Sequence, residues 1–169
     1  MKKYLLVFVA LACAGIIYLA VAGNELQEIK TEIEISAPPS KIWPIIADIN
    51  NWKTWSPIIK DSNGTATLGS ELNIAMIGKE EGEAGPIYTP IITDLEESKL
   101  LRWRANMLAD FIFTNYKIIK LEETNTGTRL IHTEAFEGLL APIFCGQMEE
   151  GVPTMLNAMN KALKDLVEK

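Results

Sequence analysis

The chain has very little with which to build a metal centre or a disulfide. It holds one histidine and two cysteines. Cys13 lies in an apolar N-terminal run and Cys145 stands alone in the rest, so no internal disulfide is available and too few ligands remain for a protein zinc site. Basic charge is also scarce, with 16 Lys and Arg against 22 Asp and Glu. Lys2 and Lys3 belong to the N-terminal run, so 14 basic side chains face 22 acidic ones beyond residue 22, a formal charge of −8. Such a surface does not draw nucleic acid or anionic headgroups by charge. Phosphate loops, nucleophile elbows and metal motifs are absent as well, so no cofactor and no metal is expected.

What the chain does have is one long uncharged stretch. Tyr4 to Ala22, nineteen residues, follows Lys2 and Lys3 and precedes Gly23, Asn24 and Glu25. That length is just enough to cross a bilayer core. Lysines before it and acidic residues after it place the start in the cytoplasm and the remainder outside. Ala20, Val21 and Ala22 also spell an A-x-A cleavage site, so a removable signal peptide is the alternative, with a secreted or periplasmic product. Processing before Cys13 is disfavoured, because Ala10 stands where a larger aliphatic is usual. The division expected is an N-terminal anchor or signal peptide over 1–24 and one ligand-binding domain over 25–169, joined to the membrane through residues 4–22.

The domain reads as strands between two sets of helices. Ile29, Thr31, Ile33 and Ile35 alternate with Lys30, Glu32 and Glu34 as a half-buried strand. Ser40 is placed to cap a short helix through Asp48, and Asn50 to Pro57 form a second short helix or turn. Leu72 to Met76 is a strand, and Gly78 to Pro86 a surface loop. Tyr88 to Glu96 with Lys99 to Ala105, and Leu108 to Glu122 with Thr128 to Glu137, make two hairpins. Gly138 to Lys169 reads as one Met-rich amphipathic helix, its apolar residues recurring at steps of three and four from Phe144 onward, with a kink or a fresh first turn expected at Pro153. Antiparallel strands with helices kept to one face define the α+β class.

Four stretches in this order carry a resemblance: Ile33 to Asp48, Trp52 to Pro57 (WKTWSP), Leu100 to Arg104 (LLRWR) and Thr128 to Phe144. Together they resemble the START and polyketide-cyclase (SRPBCC) superfamily. The resemblance implies the helix-grip fold, a curved antiparallel sheet of about six to seven strands around the C-terminal helix, with two short helices after the first strand and an apolar cavity between. It implies no single activity, since members bind lipids, carry hydrophobic molecules, cyclise polyketides or assist other proteins. The N-terminal apolar run is not part of the family pattern.

The last hairpin offers candidate chemistry. A loop at Thr124 to Gly127 sets Leu121 opposite Leu130, Ile119 opposite His132, Lys117 opposite Glu134 and Asn115 opposite Phe136. This more apolar row is assigned to the concave face. His132 or Glu134 as a base, with Lys117 or Tyr116 steadying an oxyanion, would make a catalytic cluster. A buried ion pair beside a hydrogen-bonded histidine explains the same residues without catalysis, and this reading is preferred. The cavity lining is assigned to Phe111, Phe113, Ile119, Leu130, Phe136, Trp103, Met148, Met155 and Met159. Met76 and Met107 add flexible walls. Arg102 and Arg104 are placed outside, and Trp43, Trp52 and Trp55 at the sheet end.

Three functions follow. The first is a membrane-anchored, exported binder of a hydrophobic small molecule or lipid, more a carrier than an enzyme. The second is a polyketide cyclase/dehydratase-like enzyme using His132 and Glu134. The third is a stress-response or protein-interaction module with no ligand and an apolar patch near Gly78 to Pro86. Oligomeric state is not legible.

Overall fold

The computed structural model describes residues 2–78, 83–106 and 109–169. Its first element, α1 (Lys2–Ala22), is uncharged from Tyr4 onward and has no buried residue. Strand β1 (Gln27–Ile35) then turns Ile29, Thr31 and Ile35 inward between exposed charges, as its alternation requires. Pro38 and Pro39 end that strand and start α2 (Pro39–Ala47). The cap expected from Ser40 is not made: the cap position is Pro38, two residues earlier, and Pro39 starts the helix with no side-chain cap, because a proline there gives up an N–H that has no partner in any case. A 3-10 turn (Ile49–Asn51) and the short α3 (Trp52–Trp55) follow. Trp52 is fully buried, donates its indole N–H to the Ile46 carbonyl at 2.9 Å and packs its ring 5.3 Å from that of Trp103. Trp43, Trp52 and Trp103 belong to one apolar cluster, with Trp55 packed against it.

Seven more strands complete the sheets: β2 (Ile59–Asn63), β3 (Asn73–Ile77), β4 (Ala84–Tyr88), β5 (Ile91–Glu96), β6 (Leu100–Asn106), β7 (Thr114–Thr124) and β8 (Gly127–Glu137). One antiparallel sheet runs β1-β8-β7-β6-β5 and a second β2-β3-β4. They are stitched together by residues 69–72, where Gly69 and Leu72 donate to the carbonyls of Ile92 and Pro90, and Ile92 donates to that of Ser70. Pro90 has no N–H to give, so the single strand expected over Tyr88 to Glu96 is split into the end of β4 and β5. Strand β2 was not foreseen, since only Ile59 and Ser62 face inward in its polar run. The expected loop at Gly78 to Pro86 is shorter, with Ala84 to Pro86 inside β4. Residues 79–82, and with them the middle of that loop, lie outside the described residues, as do Met107 and Leu108. The strand expected from Leu108 begins only at Thr114, because Ile112 and Phe113 fold back to the Ala109 carbonyl in a turn.

The C-terminal helix is two helices, α4 (Ala141–Met148) and α5 (Gly151–Val167). A continuous helix would ask Pro153 for a hydrogen bond to the Glu149 carbonyl. The chain instead breaks at Glu149 and Glu150 and restarts, with Pro153 in the first turn of α5. This is the fresh first turn that the sequence allowed. Helix α5 lays Val152, Leu156, Met159, Asn160 and Leu163 into the concave side of the sheet.

The interior falls into two apolar clusters. The larger joins α2, the tryptophans, Leu101, Ile119, Leu121, Leu130, Met159 and Leu163. The smaller joins Ile29, Phe113, Phe136, Cys145, Val152 and Leu156, with Phe144 and Met148 against them.

Candidate functional site

Between the two clusters lies a band of polar side chains. Strand alternation sends Leu130, His132, Glu134 and Phe136 of β8 inward together, and Leu121, Ile119, Lys117 and Asn115 of β7 beside them, with Phe113 buried just ahead of that strand. The register is the one the sequence set: Leu121 faces Leu130, Ile119 faces His132, Lys117 faces Glu134 and Asn115 faces Phe136. Each row therefore changes from apolar to polar and back to apolar along its length.

The band is one connected network. Asn160 donates its amide N–H to the Thr31 hydroxyl at 2.9 Å, which leaves its carbonyl oxygen facing His132 Nδ1 at 2.8 Å. That oxygen only accepts, so Nδ1 carries the ring proton and the lone pair is on Nε2. Lys117 Nζ stands 3.0 Å from Nε2 and donates to it. The same ammonium pairs with Glu134, whose other oxygen accepts from the Asn115 amide at 2.6 Å. Thr31 in turn donates to the His132 carbonyl at 3.4 Å. His132 is 1% exposed, and Lys117 and Glu134 are buried. Burial, reinforced by the Lys117 charge, holds the histidine well below its ordinary range despite the opposing Asn160 bond. The imidazole is neutral, and both of its nitrogens are engaged. Burial and the nearby Glu134 charge also raise Tyr88.

The structure brings His132, Glu134 and Lys117 together but not Tyr116. Tyr116 is the strand neighbour of Lys117 and so points to the outer face. There it donates to Glu137, lies under the Arg102 guanidinium at 4.6 Å, and is pushed up to about 12, first by burial and then by Glu137. Arg104 pairs with Asp110 at 2.8 Å on the same side.

The residues assigned to the cavity divide in the same way. Trp103, Ile119, Leu130 and Met159 belong to the larger cluster, and Phe113, Phe136 and Met148 to the smaller. Phe113 stacks on Phe136 at 5.6 Å, and the edge of Phe144 meets it at 5.3 Å. Two assignments are corrected. Phe111 is 73% exposed, because it sits inside the turn that Ile112 and Phe113 close on the Ala109 carbonyl. Met155 is 38% exposed, because the buried stripe of α5 passes through Val152, Leu156 and Asn160 and leaves it at the edge. Sequence reasoning missed Thr31, Asn115 and Asn160 as members of the network. Asn160 left a signal, as a polar residue four positions after Leu156 on the buried stripe.

A separate recess of about 510 Å³ opens where α1 meets the domain, between Ala20 and Gly23 on one side and Phe111, Gly138 and Leu139 on the other. Among the described residues no three His, Cys, Asp or Glu side chains are grouped as a metal site would need.

Residues 27–168 match the family described as polyketide cyclase / dehydrase and lipid transport. No curated protein matches the chain. Solved structures similar in fold include the Zhui aromatase/cyclase from Streptomyces sp. R1128, at 16% identity and TM-score 0.67 over 85% of this chain and 94% of that one. Ara h 8.0201 matches at 15% identity and TM-score 0.66, over 85% and 98%. Protein CV1439 from Chromobacterium violaceum matches at 17% identity and TM-score 0.66, over 84% and 97%. These likenesses show the helix-grip fold, and the family match goes further: the chain belongs to the polyketide cyclase/dehydrase and lipid-transport family.

Proposed function

We propose that residues 25–169 bind a hydrophobic small molecule or lipid without transforming it, and that residues 1–24 hold them at the outer side of a membrane. The observation that carries this reading is the closed polar band. Its acceptors and donors are matched to one another, with His132 Nδ1 and Nε2 both engaged and the Lys117 charge paired with Glu134. A general base needs a free lone pair within reach of a substrate proton, and here the lone pair is held by an ammonium in a buried site. What the interior offers a ligand is apolar, chiefly the smaller cluster around Phe113, Phe136, Phe144 and Met148. That cluster is covered by α4, a helix of eight residues set off from α5 by the break at Glu149 and Glu150. Family membership and the fold of an aromatase/cyclase are compatible with an apolar guest. Helix α1 has the length and composition of an anchor.

Photo-crosslinking tests this directly. Membranes carrying the full chain are incubated with a diazirine-bearing fatty acid, irradiated and digested. Adducts on peptides spanning 111–119 and 134–148 are expected, at equal yield in wild type and His132→Gln. Adducts confined to residues 4–22 would contradict the binding reading, and a chemically altered probe formed by wild type alone would favour the cyclase-like alternative.

One observation favours the interaction-module reading instead. Ile77 and Ile87 are exposed on the neighbouring strands β3 and β4, beside the position where an outer apolar patch was expected. If they form the working surface, Ile87→Lys abolishes function while leaving probe crosslinking unchanged.

A further inference from the structure

The joint between α1 and the domain is made backbone to backbone. Gly138 donates its N–H to the Gly23 carbonyl at 2.8 Å, and Gly23 donates to the Leu19 carbonyl at 2.8 Å, so the helix runs unbroken to the point of contact. Gly23 is buried, and a Cβ there would collide with the Gly138 carbonyl. Gly138 itself has φ +108°, a conformation open to glycine. Two glycines thus dock the helix end against the sheet, and the recess of about 510 Å³ lies at that joint with walls from both sides. Phe111, the most exposed aromatic outside α1, stands on its rim.

We infer that this recess takes the acyl chain of a zwitterionic phospholipid from the bilayer that α1 spans, with Phe111 seated in the interfacial layer. The inference rests on the membrane reading given above. Three features fix the occupant. Helix α1 is uncharged from Tyr4 to Ala22 and none of its residues is buried, so lipid is the partner its chemistry requires. The recess begins at the end of that helix, which puts its mouth at the depth where aromatic side chains anchor membrane proteins. Asp110, paired with Arg104, and Glu137, bonded to Tyr116, border the recess; neither pair offers a spare cation, and the acidic domain as a whole disfavours an anionic headgroup and leaves a zwitterionic one. A chain entering there lies against Leu139, one residue before Leu140 of the smaller apolar cluster.

The test uses the full chain with Phe111→Trp, reconstituted in phosphatidylcholine nanodiscs whose acyl chains carry bromine near the headgroup. The substituted indole, set roughly 5–10 Å into the interface, is expected to lose about half of its added emission relative to unbrominated discs. Replacing a third of the lipid by brominated phosphatidylglycerol, with the rest unbrominated phosphatidylcholine, is expected to quench less than the same fraction of brominated phosphatidylcholine. Disc-bound protein whose added emission is not quenched overturns the recess assignment while leaving the anchor intact. Protein that fails to enter the discs overturns both the anchor and the inference. Equal quenching by the two brominated lipids overturns the headgroup assignment.

Discussion

His132 sits where its protonation is coupled to folding. Buried and next to an ammonium, it has a folded-state affinity for protons well below its ordinary range, whereas in the unfolded chain it titrates near 6.5. The unfolded state therefore binds more protons as pH falls through about 6.5, and stability drops by up to ~1.4 kcal/mol per pH unit below that point. Glu122 and Glu168, whose carboxyls are held down by Lys120 and by the Ser36 N–H, lose their contribution only as pH falls through and below the ordinary carboxylate range, under most of the histidine window. Chemical denaturation between pH 7 and 5 is thus expected to show a slope that His132→Gln removes. An unchanged slope in that variant would show that the imidazole titrates freely. Lys117 and Glu134 give a second prediction. Lys117→Met leaves a buried carboxylate with only Asn115 and is expected to cost about 3–5 kcal/mol, whereas Lys117→Met with Glu134→Leu recovers most of the loss. Equal losses in the single and double variants would deny the pairing. Both residues were legible from the sequence, because a period of two and a short loop set the register. Asn160 and Thr31 were not, because they come from other elements and only folding brings them to the imidazole.

At the scale of elements, the informative features are the breaks. Proline decides two of them, splitting β4 from β5 at Pro90 and α4 from α5 ahead of Pro153. The sequence allowed the second openly; Pro90 also signalled the first, because a residue without an N–H argues against one continuous strand, but the apolar run around it masked that signal. Strand β2 escaped notice because an edge with two inward residues carries no run of apolar alternation. Glycine decides the third feature. Gly127 has φ +149°, and a Cβ on it would strike the Ile35 carbonyl, so the β7–β8 turn is pinned against the end of β1. Gly127→Ala is expected to cost more than about 1 kcal/mol, measured by thermal unfolding, and a neutral result would show that β1 can move aside. Leu156, fully buried on α5, tests how α5 is gripped. Leu156→Ala should cost about 2–5 kcal/mol, and a much smaller loss would mean that α5 already sits loosely over the smaller cluster.

Taken whole, the molecule is a sheet whose interior is divided by a polar band, with an apolar helix docked at the end nearer the smaller cluster. The resemblance read from four stretches of sequence carried the architecture, because those stretches are the strand, turn and helix starts of the grip. It did not carry the contents of the interior, which depend on the break between α4 and α5 and on Phe111 lying in the turn before β7. The central claim is that the domain holds an apolar guest and that His132 organises the interior rather than acting on that guest. Native mass spectrometry of the full chain released from lipid nanodiscs tests it most directly, comparing wild type with His132→Gln after collisional removal of loosely bound lipid. The account predicts the same defined apolar adduct on both proteins. A bare mass for wild type, or an adduct in the variant that differs chemically from the one wild type retains, would contradict it.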